Sequence, residues 1–146
     1  MTRIATGLAA AMLFFGSSLS AQGQEKEANH EEDFKHAVAA AESWLPLLDQ
    51  GKYDEGYDAT GNQTKTVTTK ETFIKTCAWL RSFVGKVSGR VVALRQFRTK
   101  IAGGADGNYV SVFYDSTCGD GVHYVEHVSL ELEPSGSWKV VGYHIH

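Results

Sequence analysis

Short motifs that announce a chemistry are missing from this sequence. It has no Cys-x-x-Cys, no glycine-rich phosphate loop opening a helix and no Gly-x-Ser-x-Gly elbow, so the redox, nucleotide and hydrolase reactions those motifs carry are excluded in their usual form. A basic excess is also missing: 14 Lys and Arg stand against 17 Asp and Glu, a net charge of −3 with histidines neutral. A general nucleic-acid binder would be strongly basic, and no nucleic-acid partner is expected. There is no apolar run long enough to cross a bilayer as a helix. The longest, Ile4 to Phe15, follows Arg3 and leads into the small residues Gly16-Ser17-Ser18-Leu19-Ser20-Ala21.

That order of basic start, short apolar core and small-residue end is a secretory signal peptide over residues 1–21. Cleavage is expected after Ala21, with Ser20 as the near alternative, and no cysteine follows in Gln22-Gly23-Gln24 to carry a lipid anchor. The mature chain is expected to work in the periplasm or outside the cell. Residues 22–32 are polar and charged and read as a flexible leader, leaving residues 33–146 as one domain with one core.

Charge is unevenly placed in that domain. Ten acidic residues and three lysines lie between Glu25 and Asp58, whereas Thr72 to Ala105 holds seven basic residues and no acidic one. The second stretch is either solvated surface or an anion- or partner-binding face. The two cysteines, Cys77 and Cys118, form an even count in an oxidising compartment, which favours a disulfide. Such a bridge would close a loop worth about 4 kcal/mol in the chain-entropy model. Two buried free thiols are the other reading.

Phe34, Val38, Ala41, Leu45 and Leu48 recur at helical spacing, with Pro46 expected to kink the helix and Gly51 to end it. A short helix over Tyr53–Thr60 and a polar loop over Gly61–Val67 are expected next. Thr68 and Glu71 have capping-box spacing ahead of a third stripe, Phe73, Cys77, Leu80 and Val84, which stops at Gly85. The period then changes to that of strands at about 87–99, 109–117, 122–133 and 138–145, separated by turn residues. The order predicts an α+β domain: three N-terminal helices packed on a curved four-stranded antiparallel meander.

The segments Ala40-Ala41-Glu42-Ser43-Trp44-Leu45, Asp106-Gly107-Asn108-Tyr109-Val110-Ser111-Val112, Val125-Glu126-His127-Val128-Ser129-Leu130 and Gly136-Ser137-Trp138-Lys139-Val140-Val141-Gly142-Tyr143 resemble a bacterial exported family catalogued as domain of unknown function 4019. The likeness runs from about Val38 to Ile145. In its order of helices and strands that family is similar to the cone-shaped fold of nuclear transport factor two, a curved sheet wrapped around helices that often encloses a pocket. The resemblance implies a fold and an envelope address, and no activity.

Candidate sites come from the last hairpin. A two-residue loop at Ser135-Gly136 would put Val128, Leu130 and Leu132 against Val141, Tyr143 and Ile145 on the core face. On the other face His127 would lie opposite His144, with His123 and His146 a diagonal step away and Trp138 packed nearby. Three or four imidazoles on one sheet face fit a divalent metal such as Zn, Cu or Ni, a pH-responsive surface or homodimer interface, or an ordinary half-exposed face. Tyr124 and Glu126 share the core parity. A carboxylate there must find a partner or have its pKa raised. It is either a pocket acid or base, with Tyr124 and Tyr143 as donors and Arg95 or Arg98 as ionic partner, or a satisfied structural charge. Trp44 and Trp79 are expected in the core or pocket wall. Two functional classes follow: a non-enzymatic envelope domain that binds a small ligand or a protein partner, and a pocket enzyme using Glu126.

Overall fold

Local signals place the first helix and its ends. Glu31, Glu32 and Asp33 put negative charge on the first turn, where the helix dipole is positive, and His30 Nδ1 lies 2.9 Å from Asp33 Oδ2. The helix, α1, therefore starts at Glu31, two residues ahead of the expected boundary, and runs to Asp49. The computed structural model describes residues 29–146. The expected signal peptide and most of the leader lie outside the described residues. The helix continues through Pro46, which falls in the last turn. One backbone donor is lost there, but the Pro46 carbonyl still accepts from Gln50 at 3.1 Å. The stop is a Schellman motif: Gly51 at φ 71° donates to Leu48 O, and Lys52 donates to Leu47 O.

After α2 (Tyr53–Asp58) comes α3 (Asn62–Val67), where a loop was expected. The sequence Asn-Gln-Thr-Lys-Thr-Val has little helix propensity, so tertiary contact forms this turn. Gly61 donates to Val140 O at 2.8 Å, and the Asn62 backbone donates to Glu133 Oε1 at 3.0 Å. The small residue at 61 suits this approach, since a Cβ would lie 3.2 Å from Lys139 Cβ and Val141 Cγ1 and crowd both. Helix α4 (Lys70–Val84) is capped by Thr69, whose hydroxyl accepts from Thr72 N at 3.2 Å, and not by Thr68.

The strands β1 (Val87–Arg98), β2 (Tyr109–Cys118), β3 (Val122–Leu132) and β4 (Trp138–Ile145) form one antiparallel sheet in the order β1-β2-β3-β4. The described fold is α+β with four helices, one more than expected. Phe34, Ala41, Trp44, Leu45 and Leu48 of α1 pack on Val110, Val112, Val128 and Leu130 from the middle strands to make the core. Trp44 is fixed there by donating from Nε1 to Gly56 O at 2.8 Å and meeting Tyr143 edge to face at 5.6 Å.

The last hairpin corrects the expected register. Glu133 and Ser137 close a three-residue loop with Gly136 at φ 85°, so Leu130 faces Val140 and Leu132 faces Trp138. A bulge at Val141 of β4, opposite the step from Ser129 to Leu130, then restores the expected pairs Val128–Tyr143 and His127–His144. The bulge turns Trp138 and Val140 into the core in place of Val141, and Trp138 does not pack on the histidine face. Trp79 also departs from expectation: two residues after Cys77 is about 200° round the helix, and Trp79 is 61% exposed, edge to face with Phe83.

The expected disulfide is not formed. Cys77 and Cys118 are both buried and free; Cys77 sits in the core cluster on α4, and the Cys118 thiol, at the end of β2, points to Ser116 O at 3.8 Å. Each behaves as a small apolar side chain, and burial pushes the Cys77 thiol up to about 12. Reductant should therefore leave both mass and Tm unchanged, and a thiol reagent should titrate two groups only in denaturant. A folded-state mass two protons low that reductant restores would contradict this.

Candidate functional site

Glu126 is in the middle of β3 on the inward parity, with Tyr114 of β2 on one side and Ile145 of β4 on the other. Its side chain is 1% exposed. A carboxylate so buried needs donors, and five reach it. Oε1 accepts from Arg90 Nε and from Ser116 Oγ, each at 2.6 Å. Oε2 accepts from Tyr143 OH at 2.5 Å, and from Arg81 Nη1 and Arg90 Nη2 at 3.2 Å. Asp49, at the end of α1, completes the charge balance: its Oδ1 accepts from Arg81 Nη2 at 2.5 Å and Arg90 Nη2 at 2.7 Å, and its Oδ2 from Arg90 Nη1 at 2.6 Å.

Two guanidinium groups thus face two carboxylates, and the forked geometry of arginine allows both to be shared. Burial alone would raise the Glu126 carboxyl. The hydrogen bonds from Arg90, Ser116 and Tyr143 and the charge of Arg90 outweigh it and hold the pKa below the usual glutamate range. Burial pulls Asp49 upward too, and is overcome by Arg90 and Arg81. The Tyr143 phenol is pushed well above its ordinary value by burial and by the neighbouring Glu126 charge. The cluster is neutral overall, and the glutamate has no lone pair left for a substrate proton.

The expected companions of Glu126 are only partly brought to it. Tyr143 touches it. Tyr124 lies towards the end of the strand, where its hydroxyl reaches Phe83 O at 3.5 Å. Arg95 pairs instead with Glu31 at 3.1 Å and lies 4.8 Å over the Phe34 ring, while Arg98 donates to Gln96 at 2.7 Å. Arg81, Arg90, Ser116 and Asp49 are the partners that sequence reasoning missed. A signal was there: Arg81 falls between Cys77 and Val84 on the apolar stripe of α4, and Arg90 and Ser116 share the inward parity of Val92 and Tyr114.

On the outer sheet face the histidines take the expected cross-strand placement. The His127 and His144 ring centroids are 6.0 Å apart, and those of His144 and His146 are 6.3 Å apart. His127 stacks on Phe113 at 4.2 Å, and its Nε2 lies 3.1 Å from Ser129 Oγ. His123 is drawn aside, with Nδ1 2.7 Å from Asp115 Oδ1. Among the described residues no group of three or more His, Cys, Asp or Glu side chains is gathered to hold a metal ion. Burial, with the charges of His144 and His146, pulls the His127 pKa down to about 4.

A cleft of about 130 Å³ opens between α3, α4 and β4. Val67, Phe73, Cys77 and Leu80 make its walls and Tyr143 lines it from the sheet, so the cleft abuts the charge cluster.

These features define an α+β domain built on an antiparallel meander with a closed ionic cluster under its helices. The chain belongs to the family described as protein of unknown function (DUF4019), whose profile matches residues 40–143, a span that includes all six cluster residues. Comparison with curated proteins and with solved structures finds no match.

Two acid limbs should be visible in stability. Asp49 and Glu126 have lowered pKa values when folded, so their contribution is full above the unfolded values near 4 and is lost as pH falls through the lower folded ones. The His127 pKa falls from 6.5 to about 4 on folding, so its contribution is present above 6.5 and is lost between 6.5 and 4. Urea midpoints against pH should show both stages. His127→Asn should remove the upper one, and Glu126→Gln should shrink the lower one and cost about 3–5 kcal/mol at neutral pH by stranding buried arginine charge. A wild-type midpoint that stays flat from pH 7 to 4 would contradict the reading of His127.

Proposed function

We propose that this protein is an exported, non-catalytic binding domain of the cell envelope, and that its helix-and-sheet cleft receives a small apolar group from a ligand or a protein partner. The observation that carries the reading is the saturation of Glu126. Five donors on one carboxylate, with a lowered pKa, give a group suited to holding strands together and unsuited to exchanging protons near neutrality. Tyr143, the cluster residue that lines the cleft, is held as a neutral phenol by its burial and by the Glu126 charge.

What is left facing the cleft is apolar surface of the kind that binds by shape and burial. The export reading rests on the signal-like residues 1–21. No described helix is long and apolar enough to cross a membrane. Curvature of the sheet around α1, as in the nuclear transport factor two cone, is part of the same proposal and would make the cleft a side entrance to the wrapped helices.

Native mass spectrometry of protein taken from the envelope fraction of its host tests both halves. The expected result is a mature chain that begins at Gln22 and carries a bound apolar molecule, with Thr76→Trp, a substitution at the cleft wall, folding normally and losing about tenfold or more in occupancy. A full-length chain in the cytoplasmic fraction would overturn the export reading. Equal occupancy in wild type and Thr76→Trp, or none in either, would overturn the cleft reading.

A further inference from the structure

The two edges of the sheet are treated differently. At β4 the edge is covered by α3: the Val140 carbonyl accepts from Gly61 N at 2.8 Å and from Thr64 Oγ1 at 3.4 Å. At β1 nothing comparable is found among the described residues. The strand pairs with β2 alone, none of its twelve residues is fully buried, and among the described residues no backbone group outside the sheet pairs with Leu94–Arg98. An open edge is a row of unmade backbone hydrogen bonds and a template for an added strand.

Two clefts lie along this edge, between β1 and α1. One, of about 580 Å³, is bounded by Val38 and Ala39 of the helix and by Val92 and Leu94 of the strand. The other, of about 690 Å³, is bounded by His30, Phe34 and the segment from Arg95 to Lys100. Both are lined by Arg95 and Glu31 or its neighbour His30, so they form one groove. From Val92 to Lys100 the groove is about 26 Å long at the rise of an extended chain. Its character changes along its length. The Val92 end is apolar with the mixed charges of Lys35 and Glu42, whereas the far end offers Arg95, Arg98 and Lys100, Lys100 in a well-exposed pair with Asp106 at 3.4 Å that is as readily exchanged as that of Arg95.

We propose that this groove takes an extended acidic peptide segment of a partner protein, which adds to Leu94–Arg98 as a fifth strand and carries carboxylates on both of its faces. One set lies against Arg95 on the helix side and the other against Arg98 on the outer side, where Arg98 and Gln96 share a face, with Lys100 beyond the strand end. Register supports the position. A bulge between Val92 and Leu94 interrupts the ladder, after which Leu94 to Arg98 pair regularly with Phe113 to Tyr109, so the bulge limits addition to the segment beyond it. Charge supports the occupant. Arg98 has only an amide partner, Gln96, among the described residues. The carboxylate of Glu31 on Arg95, in a pair where both side chains are well exposed, is readily exchanged for another. A flat platform, the His30 ring stacked 3.6 Å from Phe97, lines the same end for an alternate side chain. A second copy of this chain is a poor occupant, because β1 carries Arg90, Arg95 and Arg98 and no acidic residue, and like charges would meet across the new pair.

The test is amide NMR of the mature protein with the capped peptide acetyl-TVTVEETEE-amide, whose glutamates fall on both faces of an extended strand. Expected are shifts confined to β1 and the start of α1, slowed exchange at about every second amide of Leu94–Arg98, and binding weakened about tenfold or more by three separate changes. These are lysine in place of each glutamate, N-methylation of alternate peptide nitrogens, and the surface double variant Arg98→Glu with Lys100→Glu. Equal binding of the lysine peptide, no shifts at β1 at about 1 mM peptide, or β1 amides already protected in a homodimer would each overturn the proposal. Thr76→Trp, which fills the separate cleft beside Tyr143, should leave this binding intact, so failure of one site is distinguishable from failure of the other.

Discussion

A carboxylate removed from water must be answered by donors, and the answer to Glu126 draws in nearly the whole chain. Asp49 ends α1, Arg81 is on α4, Arg90 on β1, Ser116 on β2, Glu126 on β3 and Tyr143 on β4. All four strands and the two long helices therefore meet at one charge-neutral cluster. Such a cluster adds little net stability, because the cost of dehydrating four charges consumes most of the attraction between them. Its effect is on choice among packings: a slip of any strand by one residue would turn one of these groups outwards and leave its partners buried and unpaired.

The same closure shapes what the protein can do. With its inward charges fully engaged, the domain presents chemistry at its margins: an apolar cleft against β4, a groove along β1, a histidine face on the outside of the sheet and an exposed Trp79–Phe83 pair on α4. The treatment of the edges is the most informative contrast. One is sealed by a six-residue helix that has little propensity of its own, and the other, among the described residues, is left open beside a groove with a basic end.

Much of this was legible in the sequence, because periodicity reports burial. The strand bounds, the stripe of α1, the stop at Gly85 and the pairing of His127 with His144 all follow from local pattern. What escaped depends on contacts distant in sequence. The helix α3 exists because Gly61 and Asn62 bond to β4 and to Glu133 after it. Trp138 turned inwards because a three-residue loop and a compensating bulge replaced the simpler hairpin. Glu126 stands out in the sequence as an anomaly on a core parity, but periodicity does not say that its partners are Arg81 and Arg90 and not Arg95 or Arg98. The two that bind it were themselves anomalies on apolar faces, and matching buried acid to buried base would have paired them. The cysteines stay free because an even count does not place two side chains against one another.

The most direct test of the central role given to Glu126 is a carbon-13 NMR titration of its side-chain carboxyl in the folded protein. A carboxylate held by two arginines, a serine and a tyrosine should stay ionised below the ordinary glutamate range and shift only as the fold is lost in acid. A reversible titration of the intact fold near pH 6 or above would show a proton-exchanging carboxyl, and would contradict the account of this cluster as the closed structural centre of a binding domain.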